Sequence, residues 1–228
     1  MTKRISLKKK IEARGRKLSE GLRKHFRERG IFVVNLIGSP GSGKTSLLEA
    51  ASRRLKGRAA VIEGDLQTDI DKKRIEKAGL PAWQINTISS CHLDAGMVRD
   101  ALEKFSLKDI RFLFIENVGN LVCPASFDIG EDVKVAVISV TEGDDKPSKY
   151  PVGLSVSSAM VITKIDLLPY VNCDPEKMER NGRAVNPDLR VFRTSATAGD
   201  KGVDDFLDWL EEKAAARARS EERQSQRP

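Results

Sequence analysis

Lys44 and Thr45 close the run Gly38-Ser39-Pro40-Gly41-Ser42-Gly43-Lys44-Thr45, which fits the phosphate-binding pattern G-x-x-x-x-G-K-[ST]. The chemistry of that spacing is anion capture. Glycines at 38, 41 and 43 let the loop curl so that successive N–H groups face inward. A helix starting at the loop adds partial positive charge where phosphates would sit. Lys44 would reach the β- and γ-phosphates, and the Thr45 hydroxyl would ligate magnesium. The elements needed to hold such a loop are both legible. Residues 31–37 are apolar and rich in β-branched side chains, as a buried parallel strand should be. Leu47, Leu48, Ala51 and Leu55 then recur at helical spacing.

Base choice is expected from a second cluster. Thr163-Lys164-Ile165-Asp166 resembles the guanine-recognition motif N-K-x-D of GTPases. An Asp there accepts from the guanine ring N–H and exocyclic amine, a donor pair that adenine lacks. The Lys164 stem would pack over the base. Thr163 stands in place of the usual Asn, which puts only the loop-fixing role of that side chain at issue. Ser195-Ala196 resembles the later base-contacting pair. For magnesium, oxygen ligands are required. Thr45 is one, Asp65 after the second strand a good second, and Glu116 occupies the place of the acid in D-x-x-G, within Glu116-Asn117-Val118-Gly119. The Gly119 N–H could then meet the γ-phosphate and report its loss. Asp69 and Asp71 are either switch residues or helix-starting acids, and the helix reading is preferred.

Cys91-His92 and Cys123 form a third cluster. Two thiolates and an imidazole suit zinc or nickel and not magnesium. They are one ligand short of a closed structural site, a gap that water or a symmetric dimer could fill. Their spacing matches no standard zinc motif, and a free Cys is more often a small buried apolar residue. Cys173 and His25 have no partners in the pattern and read as structural, His25 as a solvated residue of a basic helix.

The 228 residues suffice for one α/β domain without disulfide staples. Three scattered cysteines do not make a secreted framework. No apolar run approaches the roughly 18 residues of a membrane span, and the basic start has no apolar core of a signal peptide. A cytoplasmic protein with no membrane contact is expected. The net charge of +7 is uneven. Residues 1–30 carry twelve Lys/Arg against three Asp/Glu, so the remainder is slightly acidic. A nucleic-acid partner is therefore disfavoured, because its basic patch should lie on the fold.

The expected organisation is a basic helical arm over 1–30, a domain over 31–213 and a charged tail over 214–228 that frays. Ile5, Leu7, Ile11, Leu18, Leu22 and Phe26 give the arm a thin apolar stripe. Strands are expected at 31–37, 59–63, 82–88, 112–115, 133–140, 159–163 and 189–193. Helices are expected after the phosphate loop, at 69–78, from Cys91 to Phe105, and around Val203, Phe206, Leu207 and Leu210. Alternation of strands and helices predicts an α/β fold of the P-loop NTPase type, a mainly parallel sheet with helices on both faces. Ligands in such sheets bind beyond the carboxyl ends of the strands, where every cluster above falls.

Taken together, the phosphate loop, Glu63-Gly64-Asp65, Cys91-His92-Leu93-Asp94, the run from Glu116 through Asn120, Leu121 and Val122 to Cys123-Pro124, Glu142-Gly143-Asp144-Asp145-Lys146-Pro147 and Lys164-Ile165-Asp166 resemble the hydrogenase nickel-incorporation GTPases, the HypB family. The resemblance covers roughly residues 30–212. It implies a slow GTPase using GTP and Mg2+, which binds Ni2+ or Zn2+ and helps load nickel into the large subunit of a [NiFe]-hydrogenase. It implies Cys91, His92 and Cys123 as metal ligands, a GTP-dependent homodimer and a partner metallochaperone of the HypA type. Ser89-Ser90 departs from the glycines the family often has before the Cys. A His-rich tract and an amino-terminal cysteine motif are absent from the sequence, so nickel storage is not expected. The alternatives are a urease-type nickel GTPase, whose Cys-Pro-His motif is not matched, and a regulatory GTPase switch with structural cysteines. No water-activating base or arginine finger stands out, so slow turnover is expected.

Overall fold

A computed structural model describes residues 2–65, 68–87, 90–197 and 199–225, with side chains from residue 13 to residue 223. Seven strands form one sheet: β1 (Phe32–Ile37), β2 (Ala59–Asp65), β3 (Ala82–Asn86), β4 (Phe112–Glu116), β5 (Val133–Ser139), β6 (Ala159–Thr163) and β7 (Arg190–Arg193). Their order is β3-β2-β4-β1-β5-β6-β7, and all six pairings are parallel. Every residue of β1, β4, β5 and β6 is buried, which is why these segments are mostly apolar and do not alternate; Asn35 in β1 and Lys134 in β5 are among the buried polar exceptions.

Helices cover both faces. On one, α2 (Lys44–Leu55), α3 (Ile70–Lys77) and α8 (Lys201–Ser225) pack Leu47, Leu48, Ile75, Phe206 and Leu210 against Val34, Val61, Phe114 and Val135. On the other, α1 (Thr2–Glu28) and α4 (Ala95–Leu102) pack Leu22, Phe26 and Val98 against Val33, Ile62 and Ile115. A third cluster joins Leu154 and Met178 to Ile138 and Ile162. Its helical members come from the short α6 (Pro151–Ser155) and from α7 (Pro175–Val185), which like the one-turn α5 (Lys146–Lys149) the sequence pattern did not announce.

Three expectations need correction. Helix α4 starts at Ala95, not at Cys91, because the Asp94 side chain accepts from the Met97 N–H and caps it; that cap contributes about 1 kcal/mol. Cys91 and His92 therefore lie in the loop ahead of it. Over residues 214–225 the tail is helical and held to the domain: α8 continues to Ser225, Ala214 is buried, and Arg217 donates to the Ile31 carbonyl at 2.8 Å and to Asp132 at 2.7 Å. Nor is the arm merely a solvated helix. Leu22 and Phe26 are buried under it, each worth about 1.5–3 kcal/mol, whereas its exposed Arg23–Asp128 pair contributes about 1 kcal/mol or less. The arm is held by its apolar stripe; Ile5, Leu7 and Ile11 in that stripe lie outside the described side chains, as Ile88 and Ser89 lie outside the described residues. His25 in the arm is half-buried, with desolvation and Arg29 lowering its pKa. Among the described residues no helix is long and apolar enough to cross a membrane.

Candidate functional site

The chain turns from β4 across β1 to β5, so strand order reverses beside β1, and there the phosphate loop sits. Its glycines are required by contact and by dihedral angle. A Cβ on Gly38 would stand 2.4 Å from the Val137 carbonyl oxygen, and Gly43, at φ 94°, caps α2 in the left-handed region. Lys44 Nζ donates to the carbonyls of Gly38 and Ser39 at 3.3 Å each. Thr45 Oγ1 donates to Glu116 Oε1 at 2.8 Å, so two of the expected magnesium residues touch. The third, Asp65, stands at the end of β2, where its Oδ2 accepts from the N–H and hydroxyl of Thr68 at 3.0 and 2.8 Å.

These groups border a cleft of about 540 Å³, lined by Pro40, Gly41, Gly43, Lys44, Thr45, Asp65, Glu116, Gly119 and Lys164 of the expected set. Its wall also carries Glu63, Asp71 and Arg74, which the sequence reading had not placed there. Arg74 bonds Glu49 at 2.5 Å, Asp71 at 2.9 Å and Ser46 at 3.1 Å, so a guanidinium borders the cleft although no arginine stood out in sequence. Asp71, taken as a helix-starting acid, lies in the first turn of α3 and also faces the cleft.

Glu63 pairs in register with Glu116 across β2 and β4. Both are buried, at 3% and 4% exposure, and each keeps one oxygen, Oε2, without a hydrogen-bond partner. Burial and then the neighbouring Glu116 charge push the Glu63 carboxyl up from 4.5 to about 8. Burial pushes Glu116 up to about 7, against the pull of Lys44. Two orphaned hard oxygens in residues that line the same cleft as Thr45 fit a divalent cation such as magnesium.

A pH dependence follows. Between about 4.5 and about 8 the folded chain holds protons on these carboxyls that the unfolded chain has released. Stability without magnesium and nucleotide is therefore expected to be highest near the acidic end and to fall as pH rises through that window. Glu63→Gln should flatten the decline nearest pH 8. Urea unfolding across the window tests this, and a stability contribution that rises with pH in the wild type would contradict it.

The segment after β4 is pressed onto the loop. Gly38 and Asn120 form an antiparallel bridge, and a Cβ on Gly119 would stand 2.8 Å from Pro40 Cγ and 3.1 Å from its backbone. Gly119→Ala is expected to push this segment off the loop and weaken nucleotide binding about tenfold or more, with the fold retained, since overpacking typically costs about 1–3 kcal/mol. Nucleotide titration beside a thermal melt distinguishes that result from general unfolding; unchanged affinity would show that the contact is dispensable.

The base-side residues lie at the ends of β6 and β7. Thr163 Oγ1 donates to the Ser42 carbonyl at 2.6 Å, so a hydroxyl keeps the loop-fixing role of the usual Asn. Lys164, at φ 59°, reaches the Gly41 carbonyl at 2.7 Å. Asp166 is exposed in the turn that follows. Ser195 and Ala196 are shaped by Asp200, a residue missed in sequence: its Oδ2 accepts from the hydroxyls of Thr194 and Ser195 at 2.8 and 2.6 Å and from the Ser195 N–H at 2.5 Å. Those bonds hold its carboxyl below the ordinary range, against the opposing effect of burial.

Of the thiol cluster, Cys91 and Cys123 meet. The neighbouring Cys123 thiol, and then burial, raise the Cys91 pKa. His92 Nδ1 lies 3.8 Å from Cys91 Sγ, but the ring stacks on Phe127 at 3.6 Å between centroids. Burial lowers the imidazole pKa. Among the described residues no three His, Cys, Asp or Glu side chains are close enough to hold an ion, so the imidazole does not complete the pair in this conformation. Cys173 packs beside the third apolar cluster, as a structural residue should.

The family profile of the CobW/HypB/UreG nucleotide-binding domain matches residues 32–193. Hydrogenase maturation factor HypB of Escherichia coli K12 is 50% identical over 220 residues, covering 95% of this chain and 76% of that protein. The chain belongs to the HypB family. HypB of Azotobacter chroococcum is 51% identical over 201 residues, spanning 87% of this chain but 65% of its own length. The structure of Helicobacter pylori HypB in complex with nickel superposes with a TM-score of 0.84 at 35% identity, covering 90% of this chain and 97% of that one. HypB of Archaeoglobus fulgidus gives 0.80 at 38% identity, covering 89% of this chain and 99% of its own. A LAO/AO transport system kinase, at 16% identity and a TM-score of 0.55, covering 84% of this chain and 61% of its own, shares the fold alone. The chain's seven-stranded parallel sheet is thus of the P-loop NTPase type, a fold it shares with these relatives.

Proposed function

We propose that this chain is a GTP-hydrolysing metallochaperone that carries nickel, or zinc in its place, on Cys91, His92 and Cys123 and helps insert nickel into a [NiFe]-hydrogenase. One observation carries the reading: the thiol pair lies on the loop ahead of α4 and the segment after β4, and that same segment touches the phosphate loop. Residues 38–45 would cradle the phosphates, with Gly119 against them, and Thr163, Lys164, Asp166, Ser195 and Ala196 would enclose guanine. Thr45 and Glu116 would hold magnesium, with Asp65 at the mouth and Glu63 behind. Bound magnesium would supply charge neutralisation at the phosphates.

GTP would draw Asp65 and the 116–119 segment inward, and hydrolysis would release them. Because Cys123 lies on the continuation of that segment, metal geometry would change with the nucleotide, which is linkage between two sites. Nickel accepts square-planar nitrogen and sulfur donors where zinc prefers tetrahedral ones, so the change discriminates between them. Arg74, tied down by Glu49 and Asp71, acts as a wall residue, consistent with slow turnover.

The reading places the protein in the cytoplasm as a GTP-dependent homodimer, handing nickel between a HypA-type partner and the hydrogenase large subunit. The GTPase unit is residues 31–213, with Leu22 and Phe26 of the arm and the continuation of α8 packed on it. Delivery to urease is a second reading, favoured by the Helicobacter hepaticus relative named hydrogenase/urease maturation factor HypB, 36% identical over 93% of this chain. Nickel titration of the apo, GDP-bound and GTP-analogue-bound protein tests the coupling. Different affinities in the two nucleotide states are expected; identical ones would remove it.

A further inference from the structure

Lys134 lies on β5, beside the central strand β1, with its side chain only 8% exposed. A buried ammonium is costly unless its donors are met and its charge is balanced. Here Nζ donates to the carbonyls of Pro124, Ala125 and Phe127 at 3.2, 3.1 and 3.1 Å, and Glu131 lies at 3.3 Å. Those carbonyls belong to the turn that begins at Cys123 and ends at the ring stacked on His92.

The contacts do not stop at Glu131. Its Oε1 accepts from Asn35 Nδ2 at 3.2 Å, and its Oε2 accepts from the Ile129 N–H at 2.8 Å. Asn35 Oδ1 accepts from Asn117 Nδ2 at 3.2 Å, and Asn117 Oδ1 accepts from the N–H groups of Leu93 and Val118 at 3.0 and 3.1 Å. Leu93 directly follows His92. Asn35 and Asn117 are 0% and 1% exposed. One run of buried polar groups therefore leads from the Cys123 turn, under the sheet end, to the Cys91-His92 loop. Asn117 follows Glu116, the partner of Thr45. Its outer partners are backbone groups, the carbonyls of Pro124, Ala125 and Phe127 and the N–H groups of Leu93 and Val118, so the network fixes the main-chain conformation of the segments that carry Cys123 and follow His92.

We propose that Lys134, Glu131, Asn35 and Asn117 are positioning residues that set the Cys91-His92 loop against Cys123, with Asn117 the point where a shift at the Glu116–Thr45 contact reaches both metal-bearing segments. The proposal rests on the reading that Cys91, His92 and Cys123 hold nickel.

The test uses the full chain with Lys134→Met and Glu131→Gln combined, so that neither charge is left buried alone. Nickel affinity, the thiolate-to-nickel charge-transfer absorption, and the ratio of nickel affinities with GDP and a GTP analogue are measured, with GDP affinity and a thermal melt as checks on the fold. The expected result is a nickel affinity roughly 10–100-fold weaker, a shifted absorption band, and a ratio moved toward one. A folded variant with wild-type affinity, spectrum and ratio overturns the proposal. Hydrogen exchange on the wild type decides the matter even if the variant does not fold. Protection at the Leu93 amide and over residues 122–127 should change together between the two nucleotide states; a change confined to one segment overturns it. The Cys91→Ala/Cys123→Ala protein separates the two readings. Nickel binding that ignores both cysteines removes the metal site and the network with it. Binding that needs the cysteines but ignores Lys134 removes the network alone.

Discussion

Replacing Cys91 and Cys123 together by alanine is expected to abolish nickel and zinc binding while the fold and the affinity for guanine nucleotides survive. Cys91 is exposed and Cys123 half-buried, so removing each thiol is expected to change stability by about 0.5 kcal/mol or less. The backbone around Cys123 is held independently of its sulfur, by Asn120 Oδ1 accepting from the Val122 and Cys123 N–H groups and by Lys134 on the carbonyls that follow. Loss of groups that merely orient metal ligands already costs about 10–100-fold in affinity, so loss of two ligands should exceed about 100-fold. The imidazole of His92, stacked on Phe127, is one donor and cannot hold nickel alone. Binding must also displace protons from the thiols, so wild-type affinity should weaken as pH falls. Calorimetric titration with nickel and with zinc measures all of this. Wild-type affinity in the double variant would remove the proposed metal site and leave the nucleotide cleft untouched.

The second large effect is expected at Asp166. Its carboxylate stands exposed just past the turn that Lys164 makes onto the phosphate loop, open to a base laid along that surface. Two charge-assisted hydrogen bonds to guanine contribute about 3–6 kcal/mol together, roughly 10²–10⁴ in affinity. Asp166→Ala should lose most of that for GDP and gain little for ADP, so the preference between the bases largely disappears. Being exposed, the substitution should leave the melting temperature nearly unchanged. Competition of GDP and ADP against a fluorescent nucleotide provides the number. A variant that keeps the wild-type preference would mean that the base is read elsewhere, the Ser195-Ala196 turn held by Asp200 being the nearest alternative.

The outcome at Thr163 shows how far a motif can be read when one of its letters changes. The pattern fixed where the residue stands, after a buried strand and before Lys164. Whether a threonine could do the work of an asparagine depended on the distance to Ser42, which is 2.6 Å. Asp94 is the converse case. Its type suits a helix cap, yet the helix was expected to open at Cys91, and only the bond to the Met97 N–H places the boundary. For the metal cluster, that boundary leaves Cys91 in a loop able to meet Cys123.

Local order along the chain was written in the sequence, because strand and helix periods are properties of neighbours a few residues apart. The buried strands, the glycine loop with Lys44 and Thr45 at a helix start, and the placement of each chemical cluster after a strand all follow from that. What only the tertiary structure decided are the relations between segments far apart in sequence. Glu63 stands beside Glu116 because β2 pairs with β4 and not with β1. Arg74 borders the cleft through Glu49 on another helix. Leu22 and Phe26 make the arm part of the fold, and Arg217 does the same for the end of α8. The Asn35–Asn117 contact joins residues 82 positions apart. Strand order and register create such pairs, and no local period encodes which strand will be the neighbour.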